Sequence, residues 1–172
     1  FGLIYENTMY SDKYNNWLDN REEAKKEENS DNRCMAAWCH GAPGILLARS
    51  KMYNLVKDSS DYITVECDIE RALFATKMYG LTDNDCLCHG NLGNTEILLE
   101  YSKECNDEEV RHMMLSARTQ IAVDIINENY DCARSYLYGY KIPGFMTGIS
   151  GMGYSLLRDL YPELPCILAL EI

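Results

Sequence analysis

Two Cys-His pairs sit in matching contexts along the chain. CHGAPG at residues 39–44 recurs as CHGNLG at residues 88–93, so Cys39–His40 and Cys88–His89 each precede a Gly-x-x-Gly. Thiolate and imidazole are preferred ligands of zinc. The sequence holds three histidines, and two of them stand in these turns. If the turns converge, two thiols and one or two imidazoles meet at one point. Gly41 and Gly90 would let the backbone pass close to an ion. A single Cys-His pair says little, because a cysteine in a fold is most often a small apolar side chain. Repetition at equivalent positions is what points to metal. The run Cys86-Leu87-Cys88-His89 lacks the two-residue gap of a haem-attachment motif, so Cys86 reads as core or as support behind a ligand. His112 falls mid-helix and receives no role.

Glycine-rich turns need elements to carry them. MTGISG at 146–151 is a third Gly-x-x-Gly. Between the copies the apolar pattern is helical. Ile45, Ala48, Met52 and Leu55 recur at helical spacing, with Pro43 near the first turn. Val65, Ile69, Ala72, Leu73 and Thr76 share a face that Gly80 would end. A third helix begins near Gly93 and carries Ile97, Leu98 and Tyr101. A fourth places Val110, Met114, Ala117, Ile121 and Ile125 on one side, with Asp107 as its cap and Glu108 and Glu109 in its first turn. A loop with Gly139 and Pro143 follows. The last helix starts around Gly151 and runs through Tyr154, Leu157 and Leu160 to Pro162. Nothing alternates over enough residues to make a long strand. The expected fold is all-α: an array of helical hairpins from about residue 34 onward, each unit a glycine turn, a helix, a loop and a return helix. In a closed ring of such hairpins the inner helices would bring their N-terminal turns to one end. Three units are too few to close a ring, and the chain opens on Phe1, so a piece of a longer protein is expected.

The 172 residues suffice for one domain with a real core, and 47% of them are hydrophobic. A net charge of −11 repels phosphate backbones and argues against nucleic-acid binding, while tolerating a basic peptide. No apolar run approaches the roughly 18–20 residues of a membrane span, and no signal peptide is visible. A cytoplasmic protein with reduced thiols is expected, most of its eight cysteines being small core residues. The stretch 19–33, DNREEAKKEENSDNR, has no apolar periodicity and reads as a solvated loop.

These motifs carry a resemblance. WCHGAPGI at 38–45, LCHGNLGN at 87–94 and MTGISGMGY at 146–154 resemble the C-terminal half of a LanC-like cyclase domain. The opening YENTMYSDKYNNWLDNR also looks like the segment that precedes the first motif in that family. His40 favours the cyclase domain of class II (LanM-type) lanthipeptide synthetases, since stand-alone cyclases usually have tyrosine there. The resemblance spans essentially the whole chain, 1–172.

It implies an α/α toroid of helical hairpins and one zinc ion held by Cys39, Cys88 and His89. Three protein ligands would leave a fourth position for the substrate's cysteine. It implies addition of that thiolate to a dehydroalanine or dehydrobutyrine of the same peptide, forming the thioether ring of a bacterial lanthipeptide (lantibiotic). His40 is then a candidate proton donor or a support for the zinc site; a structural hydrogen bond at the turn is the alternative. The implied partners are a precursor peptide with dehydrated Ser or Thr and a free Cys, and the rest of a parent synthetase. Self-association of the piece is also expected. One departure stands out. The family has an Asp and a His upstream of the first zinc motif, and here no histidine precedes His40. A competing reading is a non-catalytic zinc-binding helical module that displays a peptide-binding surface. A fourth protein ligand such as His40 would favour that module, and an accessible fourth position the enzyme. Toroid enzymes acting on carbohydrate or isoprenoid rely on carboxylate or His-Asp constellations, and no paired carboxylates stand at the repeat turns.

Overall fold

A computed structural model describes residues 2–22, 34–82, 84–130 and 142–171. Residues 23–33 of the charged stretch, Cys132 and Gly139 lie outside the described residues. A short helix α1 (Gly2–Asn7) leads into a small antiparallel ribbon of β1 (Tyr10–Ser11) and β2 (Asn16–Trp17), with Tyr10 opposite Trp17. The main helices follow: α2 (Ala42–Tyr53), α3 (Tyr62–Tyr79), α4 (Asn91–Cys105), α5 (Glu108–Ile126) and α6 (Ile149–Leu160). A 3-10 turn at Ile167–Ala169 ends the described chain. The fold class is all-α, as the periodicity implied. None of the described helices is long and apolar enough to cross a membrane.

Packing follows the hairpin pattern. α2 lies along α3 and α4 along α5, while α2 also packs on α4 and α6 touches α4. α4 is thereby enclosed on most sides: every residue from Leu92 to Leu98 is buried, and so are Glu100, Tyr101 and Ser102. Val65, Ile69, Ala72 and Thr76 form the buried stripe of α3, and the Gly80 N–H closes that helix on the Thr76 carbonyl. On α5, Asp107 caps the helix by accepting from the Val110 N–H at 3.0 Å, and Val110 and Met114 are buried. Each such aliphatic side chain contributes roughly 1.5–3 kcal/mol by leaving water.

Two helices bury a face other than the expected one. On α2 the buried residues are Ala42, Pro43, Leu46, Leu47, Arg49 and Ser50, whereas Ala48 is exposed. Leu55 falls after the helix and is 83% exposed. The reason is that α2 packs on two partners, α3 and α4, while its Ile45–Ala48 side faces a cavity. On α6 the buried stripe is Gly151, Met152 and Ser155; Leu157 and Leu160 are exposed. The cysteines also depart from expectation: among the described residues only Cys86 and Cys166 are buried, and Cys39 and Cys67 are exposed.

Buried charges tie the layers together. Arg49 of α2 pairs with Asp68 of α3 at 2.9 Å and with Glu6 of α1. Arg118 of α5, 2% exposed, pairs with Asp159 of α6 at 2.7 Å and donates to the Leu92 carbonyl of α4 and the Ser155 carbonyl of α6. Glu96 of α4 accepts from Ser155 and Arg158, both at 2.6 Å. Such groups tolerate burial because each is paired and hydrogen-bonded.

The three Gly-x-x-Gly motifs occupy equivalent places. Gly41, Gly90 and Gly148 are the N-caps of α2, α4 and α6. The second glycine of each motif presses against a carbonyl of the preceding turn: Gly44 on Trp38, Gly93 on Leu87, Gly151 on Phe145. A Cβ at any of these would collide with that carbonyl.

Candidate metal centre

The first Cys-His turn is set by short-range backbone pairing and one asparagine. Ala37 and His40 bridge each other, N–H to carbonyl, at 2.9 and 3.2 Å. Asn16, 1% exposed, accepts from the Ala42 N–H at 2.8 Å and donates to the Cys34 carbonyl at 3.1 Å. It thus fastens the start of α2 to the strand ribbon. Gly41 turns the chain into the helix with φ of 84°, a left-handed conformation that suits glycine.

The second turn is held from both neighbouring repeats. The Cys88 N–H donates to the Met146 carbonyl of the third repeat at 2.8 Å. Asn84 accepts from the Cys86 N–H at 2.8 Å through its side chain and from the Asn91 N–H at 2.7 Å through its carbonyl. Asn94, in the first turn of α4, donates to the Ala36 carbonyl at 2.9 Å and to the Gly80 carbonyl at 2.7 Å. That one amide ties the second repeat to the first, three residues ahead of Cys39.

The result is convergence. One donor atom each from Cys39, Cys88 and His89 lies within 4.8 Å of the other two. This compact set of two thiols and one imidazole suits a soft or borderline cation such as zinc. Their mutual hydrogen bonds polarise them strongly. The hydrogen bond from Cys88 holds the Cys39 thiol well below the usual range, at about 4, against burial and with help from His89. The same bond, with burial, pushes the Cys88 thiol up. His89 is raised to about 10, first by Cys39 and then by the buried Cys86, whose thiol hydrogen-bonds with the imidazole. The cluster thus holds a thiolate, a thiol and an imidazolium, sharing protons that a metal ion would displace. Cys86 is thus a neighbour that interacts with His89, the kind of contact that supports a metal-bound histidine.

His40 stands apart from this group. Its Nε2 lies 3.4 Å from Oδ2 of Asp19, and its Nδ1 contacts the Cys39 carbonyl. Asp19 is not the solvated residue its sequence context suggested: its side chain is 7% exposed. Arg21 grips it, with Nη2 at 2.6 Å and Nε at 2.9 Å, and holds its carboxyl below the ordinary range despite burial. His112 is exposed on α5. Asn16, Asp19 and Asn94 were missed from sequence. Only Asn94 had a visible signal, being a polar residue where the first repeat has Ile45.

The model of the family described as "Lanthionine synthetase C-like protein" matches residues 3–171. The chain belongs to the lanthionine synthetase C-like family. It is also 31% identical over 153 residues to the lacticin 481/lactococcin biosynthesis protein LcnDR2 of Lactococcus lactis subsp. lactis. That match covers 84% of this chain and 16% of the relative, so the chain spans about a sixth of the relative's length. In this member of the lanthionine synthetase C-like family the cluster of Cys39, Cys88 and His89 is the candidate metal centre.

Proposed function

We propose that residues 1–172 form the C-terminal portion of a lanthipeptide cyclase domain, part of an α/α toroid, in which Cys39, Cys88 and His89 hold a zinc ion. The observation that carries this reading is the donor set. Among the described residues two thiols and one imidazole converge, and no fourth histidine, cysteine or carboxylate joins them. His40, the neighbour best placed to close the shell, is engaged by Asp19 and the Cys39 carbonyl instead. A three-donor set is the arrangement of catalytic rather than structural zinc sites. It therefore favours the enzyme over a non-catalytic zinc-binding, peptide-displaying module.

Zinc bound there would lower the pKa of a substrate cysteine thiol and present it as thiolate at neutral pH. The sulfur forms a C–S bond to the β-carbon of a dehydroalanine or dehydrobutyrine in the same peptide. The alkene electron pair moves toward the adjacent carbonyl as an enolate, and the α-carbon then takes a proton. His40, next to Cys39, is the candidate to take up the proton the substrate thiol loses and return it to the α-carbon. Because its Nε2 faces Asp19 and its Nδ1 the Cys39 carbonyl, delivery requires Nε2 to turn from Asp19 toward the substrate. Cys86, which interacts with His89, would help to orient it. The substrate is a precursor peptide carrying dehydrated Ser or Thr and a free cysteine, acted on in the cytoplasm of a bacterium. Exposed apolar side chains such as Phe74, Leu157 and Leu160 support docking on the rest of a longer synthetase, or self-association.

Cobalt(II) substitution tests the reading. Cobalt-loaded protein titrated with N-acetylcysteine amide is expected to gain a thiolate-to-cobalt charge-transfer band while staying tetrahedral. A spectrum indifferent to thiol would favour the non-catalytic module.

A further inference from the structure

The first Cys-His turn is shared by two features. Cys39 belongs to the metal cluster. With His40 and Gly41 it also lines a cavity of about 530 Å3, which Cys88 and His89 do not line. From that turn the cavity follows α2, whose Gly44, Ile45, Ala48 and Lys51 form one stripe along its wall. With a helical rise of about 1.5 Å per residue, Gly44 to Lys51 spans roughly 10 Å, the length of about three extended residues. The opposite walls are apolar, with Trp38 and Leu168 joined by the indole N–H donating to the Leu168 carbonyl at 3.0 Å. Trp17 lines the cavity too; it is 4% exposed, and its Nε1–H has no acceptor among the described residues. The charged groups on the walls are already paired: Glu6 with Arg49, and Lys51 with Glu100, Glu104 and Glu171.

We propose that this cavity is a subsite for the substrate peptide, which takes an apolar side chain adjacent in sequence to the cysteine that reacts. The inference rests on the cyclase reading above. A sulfur delivered to the group containing Cys39 brings the next residue of an extended chain to within about 3.5 Å further along. The cavity begins at that same residue. Paired charges select no charge in the occupant, and apolar walls reward a side chain such as leucine.

The test uses the cobalt(II) protein and two thiol peptides, acetyl-Leu-Cys-Leu-amide and acetyl-Ser-Cys-Ser-amide, with N-acetylcysteine amide as the minimal thiol. The charge-transfer band reports binding. The leucine peptide is expected to bind about tenfold or more tighter than the serine peptide. Ala48 is exposed on the cavity side of α2, so Ala48→Trp fills the space from a position that needs no repacking. In that variant the preference is expected to fall to within about twofold, with the cobalt spectrum retained. The wild-type comparison decides the matter even if the variant does not hold cobalt. Affinities within about twofold in wild type would overturn the subsite and leave the cavity as a seat for another stretch of polypeptide. A cobalt-loaded Ala48→Trp that keeps the leucine preference would overturn it equally. If the minimal thiol also leaves the spectrum unchanged, the cyclase reading fails, and the subsite with it.

Discussion

The Asn94 side-chain amide donates to the Ala36 carbonyl at 2.9 Å, joining the start of α4 to the backbone just ahead of Cys39. A second bond from the same nitrogen to the Gly80 carbonyl fixes the end of α3. Asn94 is 1% exposed, so these carbonyls have no water to turn to. The two metal-bearing turns meet because this amide spans them.

Asn94→Ala is therefore expected to cost about 1–3 kcal/mol of stability by orphaning buried carbonyls. It should also weaken metal binding by about tenfold, because Cys39 would no longer be held against Cys88. Thermal unfolding with and without metal, alongside competition with a chromophoric chelator, separates the two effects.

A motif glycine and a glycine inside a helix are expected to behave oppositely. Gly93→Ala drives a Cβ into the Leu87 carbonyl and is expected to destabilise by about 1–3 kcal/mol, with loss of metal. Gly153→Ala, in the interior of α6, meets nothing within 4 Å. It should stabilise by about 0.5–1 kcal/mol through helix propensity alone. Denaturant unfolding of both variants checks this.

How far the sequence carried the structure depends on what kind of constraint was at stake. The repeat was legible because Gly41, Gly90 and Gly148 all start helices, and the second glycine of each motif meets a carbonyl that admits no side chain. The meeting of Cys39, Cys88 and His89 was legible only in part: the repeat implied that two thiols and one or two imidazoles would converge, and the family resemblance singled out His89 over His40. Helix faces were less so. α2 packs on two neighbours and faces a cavity with a third side, and no single apolar stripe reports that. Asp19 was hidden by its charged company, yet Arg21 and His40 draw it inward. Asn16 gave no sign, since its role is to bond backbone groups distant in sequence.

Metal affinity should rise with pH. In the metal-free cluster the Cys88 thiol is pushed up and His89 is raised to about 10, so both hold protons at neutral pH, while Cys39 at about 4 does not. Binding a divalent ion is then expected to release about two protons per ion. Calorimetry in buffers of different ionisation enthalpy measures that number. A value near zero would contradict the shared-proton arrangement.

Acid should loosen the contact between α2 and α4. Burial pushes the Glu100 carboxyl up, but Lys103 at 2.7 Å and Lys51 at 2.9 Å outweigh it and hold the group at about 2, below the ordinary 4.5. A carboxyl depressed in the folded state adds stability above its unfolded pKa and loses it as pH falls. That contribution is therefore present above about pH 4.5 and lost between there and pH 2. Glu100→Gln is expected to flatten the stability profile across this window in denaturant titrations.

Metal content of the purified, reduced chain tests the central claim most directly. Mass spectrometry is expected to find close to one zinc per chain in the wild type, and loss of that zinc in each of Cys39→Ala, Cys88→Ala and His89→Ala, with His40→Ala retaining it. A folded, reduced wild type that takes up no zinc, or single variants that keep it, would contradict the assignment of these three residues as a metal centre.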